Sequence, residues 1–158
     1  MAVTDIAIRA VRPDDIERID RAFRKLDRRS VYLRFFSYKA DLTPKELRQI
    51  TESDGASRAA LVATIGQGDR ETIIGLGEYV RSGASADIAF AVQADYRRRG
   101  IASRLLRQLA DIARAHGITR FEADMLAENA PMLGVLHRSG LPVRARHESG
   151  SIHATLRL

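Results

Sequence analysis

The feature that most restricts the fold of this 158-residue chain is a strand-to-helix junction around an arginine-rich turn. Residues 86–93 (ADIAFAVQ) predict a strand, and an amphipathic helix is predicted after Gly100. The apolar stripe of that helix consists of Ile101, Leu105, Leu109 and Ile112. Gly117 predicts its end, since glycine readily adopts the left-handed conformation that stops a helix. A fold for this chain must therefore place a strand end against a helix N-terminus.

The remaining segments predict further strands and helices around this junction. The order is strand, two helices, three strands, helix, strand, helix and two strands, which predicts a mixed α/β sheet with helices on its faces. Thr43, Pro44 and Glu46 form a capping-box pattern that predicts a helix start. The predicted strands are residues 4–11, 58–66, 72–81, 86–93 and 120–126, followed by a closing hairpin.

Length and composition favour one domain over residues 1–158. Hydrophobic residues make up 45% and charged residues 29% of the chain, which is typical of a soluble globular protein. The absence of cysteine excludes disulfides and thiolate chemistry. The N-terminal residues do not resemble a leader peptide, and no apolar stretch could span a bilayer. We expect a cytoplasmic protein without membrane contact; the oligomeric state, a homodimer for example, stays open.

The net charge of +6 favours anionic partners such as phosphates. Nucleic acid is not expected, because the basic residues are spread along the whole chain and no recognition motif accompanies them. A metal is not expected either, because His147 and His153 show no ligand spacing with other residues.

The arginine-glycine turn has the chemistry of an anion site. The first backbone N–H groups of a helix have no helical acceptor, and the helix dipole adds partial positive charge there. Gly100 lets a phosphate approach the backbone closely, and the three preceding arginines add charge. The glycine spacings of a P-loop and of a dinucleotide fingerprint are both absent. The turn therefore predicts a pyrophosphate site of another kind.

Residues 97–102 (RRRGIA) have the form Gln/Arg-x-x-Gly-x-Gly/Ala. With this motif the chain resembles the GNAT N-acetyltransferase superfamily, in which the motif binds the pyrophosphate of acetyl-CoA. Nearly the whole chain takes part, and the strings ADIAFAV, HGITRFEADMLAENAPML and RSGLPV are most similar to bacterial Pat-type protein lysine acetyltransferases. The resemblance implies a mixed, mostly antiparallel sheet of about seven strands with helices on both faces.

The resemblance also implies an acetyl-CoA-dependent N-acetyltransferase that moves the acetyl group directly to a primary amine. A protein lysine is the first candidate for the acceptor. A small amine, or a non-catalytic acyl-CoA-binding module, is the alternative. The positions that correspond to cofactor contacts are Phe90, Ala91, Val92, Arg97, Arg98, Arg99, Gly100, Ile101, Ala102, Ser103, Asn129 and Met132.

Two carboxylates are candidates for the general base. Pat-like proteins carry a glutamate where this chain has Asp87, so one methylene of reach is lost. Asp87 would then act through a bridging water, or the base is Glu78 or neither of the two. Glu78 is the rival, because it alternates in phase with Ile74, Leu76 and Val80 and would face an apolar stripe. Such a carboxylate is costly unless it is paired with a cation or functional. An Asp87 in solvent and a Glu78 bound to an arginine are the alternatives without a catalytic role.

Two further regions matter for the implied reaction. Many GNAT enzymes have a tyrosine as general acid seven residues after the asparagine that leads the later helix, and this chain has Leu136 there. The general acid is therefore absent or is water. The segment SVYLRFF corresponds to a wall of the acceptor cleft, and Tyr32 or Arg34 would contact the acceptor.

Overall fold

The computed structural model describes residues 5–25, 43–97 and 99–158. These residues form four α-helices: α1 (Ile16–Arg24), α2 (Pro44–Thr51), α3 (Ile101–Ala115) and α4 (Ala130–His137). The strands are β1 (Ala7–Ala10), β2 (Arg58–Ile65), β3 (Thr72–Ser82), β4 (Ser85–Val92), β5 (Arg120–Leu126), β6 (Val143–Glu148) and β7 (Ser151–Arg157). None of these helices is long and apolar enough to cross a bilayer.

The strands form one sheet in the order β1-β2-β3-β4-β5-β7-β6. Every neighbouring pair is antiparallel except β4 and β5, which run parallel. That parallel pairing covers three residue pairs: Ser85 with Arg120, Ala86 with Phe121 and Asp87 with Glu122. Because α3 connects these two strands, its N-terminus lies at the carboxyl end of β4. The predicted mixed, mostly antiparallel sheet of seven strands is confirmed.

Helices cover both faces of the sheet, as predicted. Leu105 of α3 and Leu136 of α4 are fully buried in a core that includes Phe121 of β5. On the opposite face, Ile19 of α1 and Ile50 of α2 belong to a second core. Successive strand residues point to opposite faces, so neighbouring side chains of a strand pack alternately into the core beneath α3 and α4 and the core beneath α1 and α2.

The start of α2 follows from its local sequence. Thr43 accepts a hydrogen bond from the backbone N–H of Glu46, and the Glu46 carboxylate accepts one from the N–H of Thr43, both at 3.1 Å. Pro44 occupies the first helical position, where no N–H is needed. The predicted capping box is therefore present.

A β-bulge changes one prediction about the faces of β3. Ala63 pairs with Gly75 and Thr64 pairs with Ile73, so Ile74 is the extra residue. Ile74 consequently belongs to the core beneath α3, whereas Ile73 lies in the core beneath α1 and α2. The expectation that Ile74 shares a face with Glu78 was wrong, because the bulge reverses the alternation between them.

A buried carboxylate ties β1 to the start of α1. The Asp15 side chain is fully buried and accepts hydrogen bonds from both terminal nitrogens of Arg9, at 2.7 and 2.8 Å. The backbone N–H of Arg12 donates to it at 2.7 Å. Burial acts to raise the pKa of Asp15, but these hydrogen bonds outweigh it and hold the pKa at about 2. Arg9 also contacts Glu71, so one guanidinium joins the two carboxylates.

Replacing this carboxylate is expected to destabilise the fold. Asp15→Asn should lower the free energy of unfolding by about 2–4 kcal/mol at pH 7, because Arg9 loses its buried counter-charge. Urea denaturation measures this loss. Asp14→Asn is the matched control, since Asp14 is 68% exposed, and it should cost under about 1 kcal/mol. Equal losses in the two variants would contradict the buried pair.

The same group predicts a pH dependence of stability. The folded pKa of Asp15, about 2, lies below the ordinary value of 3.8, so the ionised form is favoured in the folded protein. Its contribution, about 2 kcal/mol, is complete above about pH 5 and is lost as the pH falls through 3.8 and then through about 2. Acid titration of the unfolding free energy should show a shallower decline in Asp15→Asn than in the unchanged protein.

Candidate active site

A cleft of about 570 Å³ lies where β4 and β5 diverge. The two strands pair as far as Asp87 and Glu122, and beyond that point residues 88–92 and 123–125 line opposite walls. The start of α3 and part of α4 complete the lining. Ten of the twelve residues predicted to contact a cofactor line this cleft: Phe90, Ala91, Val92, Arg97, Gly100, Ile101, Ala102, Ser103, Asn129 and Met132.

The N-terminus of α3 opens directly into the cleft. Gly100 precedes the helix with φ of +77°, a left-handed conformation that favours glycine. The backbone N–H of Arg104 donates to the Gly100 carbonyl at 3.0 Å, so the N–H groups of residues 101–103 precede the first helical hydrogen bond. A Cβ placed on Gly100 meets no atom within 4 Å. The helix therefore presents free space and amide donors to the cleft, as an anion site requires.

Two arginines flank this helix start. The Arg97 guanidinium donates to the carbonyl of Val92 at 3.3 Å, which places positive charge at the end of β4. The Arg99 guanidinium lies 5.3 Å from the centre of the Tyr96 ring, a cation–π contact at the surface. Arg98 lies outside the described residues. The first turn of α3 contains no acidic residue, so nothing in it opposes the charge of an anion.

Helix α4 supplies the remaining wall. Asn129 is buried, caps the helix and accepts a hydrogen bond from the N–H of Met132 at 3.2 Å. It also lines the cleft, so the capping role and a ligand contact are compatible. Leu136 is fully buried and lines the same cleft. The position that carries a tyrosine in many GNAT enzymes is therefore an apolar part of the wall, while neighbouring His137 is exposed.

Asp87 occupies the last paired position before the strands diverge. It lies opposite Val80 of β3 and beside Glu122 of β5. Its side chain is exposed and is not part of the cleft lining. Partial desolvation raises the pKa of Asp87, and the negative charges of Glu122 and Asp124 raise it further, while His153 opposes them. A carboxylate with a raised pKa next to the point where the strands diverge is a suitable proton acceptor.

Glu78 has different surroundings. It is 8% exposed, and its Oε2 lies 3.9 Å from Nη1 of Arg58 on the neighbouring strand. Leu76, two residues earlier on the same face, packs against the core beneath α1 and α2. The ion pair with an arginine, the alternative without catalysis, is therefore present.

The structure adds three residues that sequence reasoning did not assign to the site. Asp124 lines the cleft, and its Oδ1 lies 2.6 Å from Nδ1 of His153. The other ring nitrogen of His153 lies 3.3 Å from Glu122. The alternation of β5 places Glu122 and Asp124 on one face. His153 follows Glu122 by 31 residues and Asp124 by 29, so these contacts depend on the pairing of β5 with β7.

Comparisons with known proteins identify the family. Residues 21–141 match the model of the acetyltransferase (GNAT) family. The chain belongs to that family. It is 32% identical over 136 residues to the acetyltransferase Pat of Mycolicibacterium smegmatis. The aligned region covers 84% of this chain and 40% of Pat. This GNAT chain thus spans less than half the length of that curated relative.

Solved structures agree with this assignment. The GNAT domain of S. lividans PAT is 32% identical, covers 96% of this chain and 89% of that one, and superposes with a TM-score of 0.86. The putative acetyltransferase yncA from Salmonella typhimurium, solved with acetyl-CoA, gives a TM-score of 0.74 at 18% identity. It covers 97% of this chain and 92% of that one, and at this identity it supports the GNAT fold alone. This chain is therefore an acyltransferase by family.

Two acceptor-side predictions for this acetyltransferase are not tested by the structure. Tyr32 and Arg34 lie outside the described residues. Their predicted contact with the acceptor stays a prediction.

Proposed function

We propose that this chain is an acetyl-CoA-dependent N-acetyltransferase that acetylates a lysine side chain of a protein. The observation that carries the proposal is the cleft between β4 and β5, which ends at the amide donors of the α3 N-terminus. That arrangement suits a long ligand with an anionic group at one end and a thinner, less polar arm at the other. Acetyl-CoA has this form, and when bound it supplies an activated acetyl thioester.

The residues of the chain divide into binding and orienting roles. The amides of residues 101–103 and the guanidiniums of Arg97 and Arg99 hold the diphosphate. The apolar wall that includes Met132 and Leu136 packs against the pantetheine arm and excludes water from it. Backbone groups of residues 90–92 bind the arm and orient the thioester carbonyl. Gly100, Ile101, Ala102, Ser103 and Asn129 complete this proposed cofactor site.

A carboxylate prepares the acceptor for reaction. A free lysine is almost wholly protonated at neutral pH, since its pKa is about 10.4, and an ammonium is not a nucleophile. Asp87 is the proposed base, because it lies where the strands diverge and its pKa is raised. Glu78 is the second candidate, and its ion pair with the partly exposed Arg58 favours a structural role.

The transfer is direct and needs no covalent enzyme intermediate. One proton of the acceptor ammonium passes to the Asp87 carboxylate, and the neutral amine attacks the thioester carbonyl. The C–N bond forms as the C–S bond breaks, the nitrogen gives its second proton to water, and the thiolate leaves. Leu136 carries no proton to give, so the thiolate takes its proton from water. A thiolate is a stable leaving group near neutral pH, which makes a dedicated acid unnecessary.

The acceptor class is tested by following free thiol during incubation with acetyl-CoA. A lysine-containing peptide, a polyamine, a free amino acid and an aminoglycoside are compared at equal amine concentration. Faster thiol release with the peptide supports a protein acceptor. Release with one small amine instead would reassign the acceptor, and acetyl-CoA binding without release from any acceptor would favour a binding module over an enzyme.

A further inference from the structure

Three acidic side chains and one histidine lie together on the sheet face opposite α3. Glu122 is the register partner of Asp87, and Asp124 is the register partner of His153. These four residues alternate with buried residues of the core beneath α3 and α4, such as Phe121 and Ala123, so they project from the other face. The cluster adjoins the point where β4 and β5 diverge.

The hydrogen bonds of His153 favour its protonated state. Nδ1 lies 2.6 Å from Asp124, and Nε2 lies 3.3 Å from Glu122. An ionised carboxylate only accepts hydrogen bonds, so donation by both ring nitrogens, as in an imidazolium, satisfies both contacts. The hydrogen bond to Asp124 is the largest cause that raises the pKa of His153 above 6.5; partial burial opposes it, and Glu122 adds to the rise.

The charged residues of this face lie on four strands, and they include Arg120 of β5, Arg144 of β6 and Arg157 of β7, which alternate in phase with the cluster. Glu122 and Asp124 contact the His153 ring from β5, and Asp87 of β4 adjoins Glu122. On the other side, Arg146 of β6 is the register partner of His153, and that arginine is engaged with Glu148 at 2.6 Å. Among the described residues of this face, His153 is therefore the cation held between the carboxylates that neighbour Asp87.

We propose that His153 is a positioning residue for the transfer reaction: it fixes Glu122 and Asp124 in place and sets one positive charge beside Asp87. This inference rests on the proposed role of Asp87 as base. Without the imidazolium, Glu122 and Asp124 would lose the cation that contacts both of them, beside the carboxylate of Asp87. Asp87 would then hold its proton to higher pH, and a smaller fraction of the enzyme could accept a proton from the acceptor.

The direct test observes the Asp87 carboxyl rather than the reaction. In protein labelled with ¹³C at aspartate, the Asp87 carboxyl signal is assigned by its absence in Asp87→Asn and titrated by NMR. His153→Gln should move the midpoint of Asp87 to higher pH, and His153→Lys, which keeps a positive charge, should leave it near the original value. His147→Gln is the control, since His147 is exposed on β6, and it should have no effect.

The pH dependence of kcat tests the same effect of the His153 charge on Asp87. In His153→Gln the acidic limb of the kcat profile should move to higher pH, with kcat below the limb falling about threefold, the order of effect of removing one nearby unit charge in a water-like dielectric. Acetyl-CoA affinity should be unchanged, because His153 is not part of the cleft lining. A merely structural role would lower kcat equally at all pH values.

The outcomes separate this inference from the proposed function. An Asp87 midpoint that is the same in His153→Gln and the unchanged protein would overturn the inference, as would a His153 ring that titrates at 6.5. If His153→Gln does not fold, Asp124→Asn replaces it: removing that acceptor should lower the midpoint of His153, and no change would overturn the inference. Absence of acetyl transfer by the unchanged protein would refute the proposed function while both NMR titrations keep their meaning.

Discussion

Gly100→Glu is expected to weaken acetyl-CoA binding on the order of 100-fold or more, since a carboxylate about 5 Å from a phosphate costs several kcal/mol at an effective dielectric of 20. The Cβ at this position points into open space before the first turn of α3, where the proposed diphosphate lies. The glutamate would occupy that space and repel the anion. Isothermal titration calorimetry with acetyl-CoA measures the change.

The same helix offers a matched control at its other end. Gly117 has φ of +78°, against +77° for Gly100, and a Cβ there also meets no atom within 4 Å. Gly117→Glu therefore has a similar backbone strain, about 1–2 kcal/mol, and the same change of net charge. It should retain acetyl-CoA affinity. Equal loss of affinity in the two variants would trace the effect to helix strain and remove the support for an anion site at Gly100.

Asp87→Asn is expected to lower kcat about 100-fold or more, the usual contribution of a general base. Asparagine keeps the size of the side chain but cannot take a proton from an ammonium. Acetyl-CoA affinity should hardly change, because Asp87 lies outside the cleft lining. Steady-state kinetics with a saturating acceptor, together with calorimetry, separate the two quantities.

Two further variants test whether a loss of kcat is specific to Asp87. Asp111→Asn removes one negative charge from the exposed surface of α3 and should leave kcat unchanged. Glu78→Gln tests the rival base. A large loss of kcat in Glu78→Gln with little loss in Asp87→Asn would transfer the role to Glu78. A fall in acetyl-CoA affinity as the sole effect of Asp87→Asn would contradict its catalytic role.

Features set by neighbouring residues were predictable from the sequence. The capping box of Thr43 and Glu46 and the left-handed Gly117 after α3 each depend on a few consecutive residues, so their chemistry is visible in a short window. The helix stripe that includes Leu105 follows from spacing alone. The anion-site geometry at the α3 start combines two such local signals, whereas the contacts predicted for residues 90–92 and for Asn129 came from the resemblance to GNAT proteins.

Features set by strand pairing were not predictable in this way. The bulge at Ile74 adds one residue to β3 without a distinctive local signal, and it reverses the faces of the residues before it. The contacts of His153 with Glu122 and Asp124 require β5 and β7 to pair in one particular register. Asp15 resembles any helix-opening acid in the sequence, and its ion pair with Arg9 of β1, which also contacts Glu71 just before β3, depends on contacts between distant segments. Long-range register, rather than composition, decides these cases.

The three-pair junction of β4 and β5 has a mechanical consequence. It is the seam between two antiparallel blocks, one containing β1 to β4 and the other β5 to β7. A molecule in the cleft touches both blocks at once, because residues 88–92 and 123–125 face it from opposite sides. Bound acetyl-CoA should therefore hold the two blocks together and slow their separation. Amide hydrogen exchange near the seam should become slower when acetyl-CoA is bound.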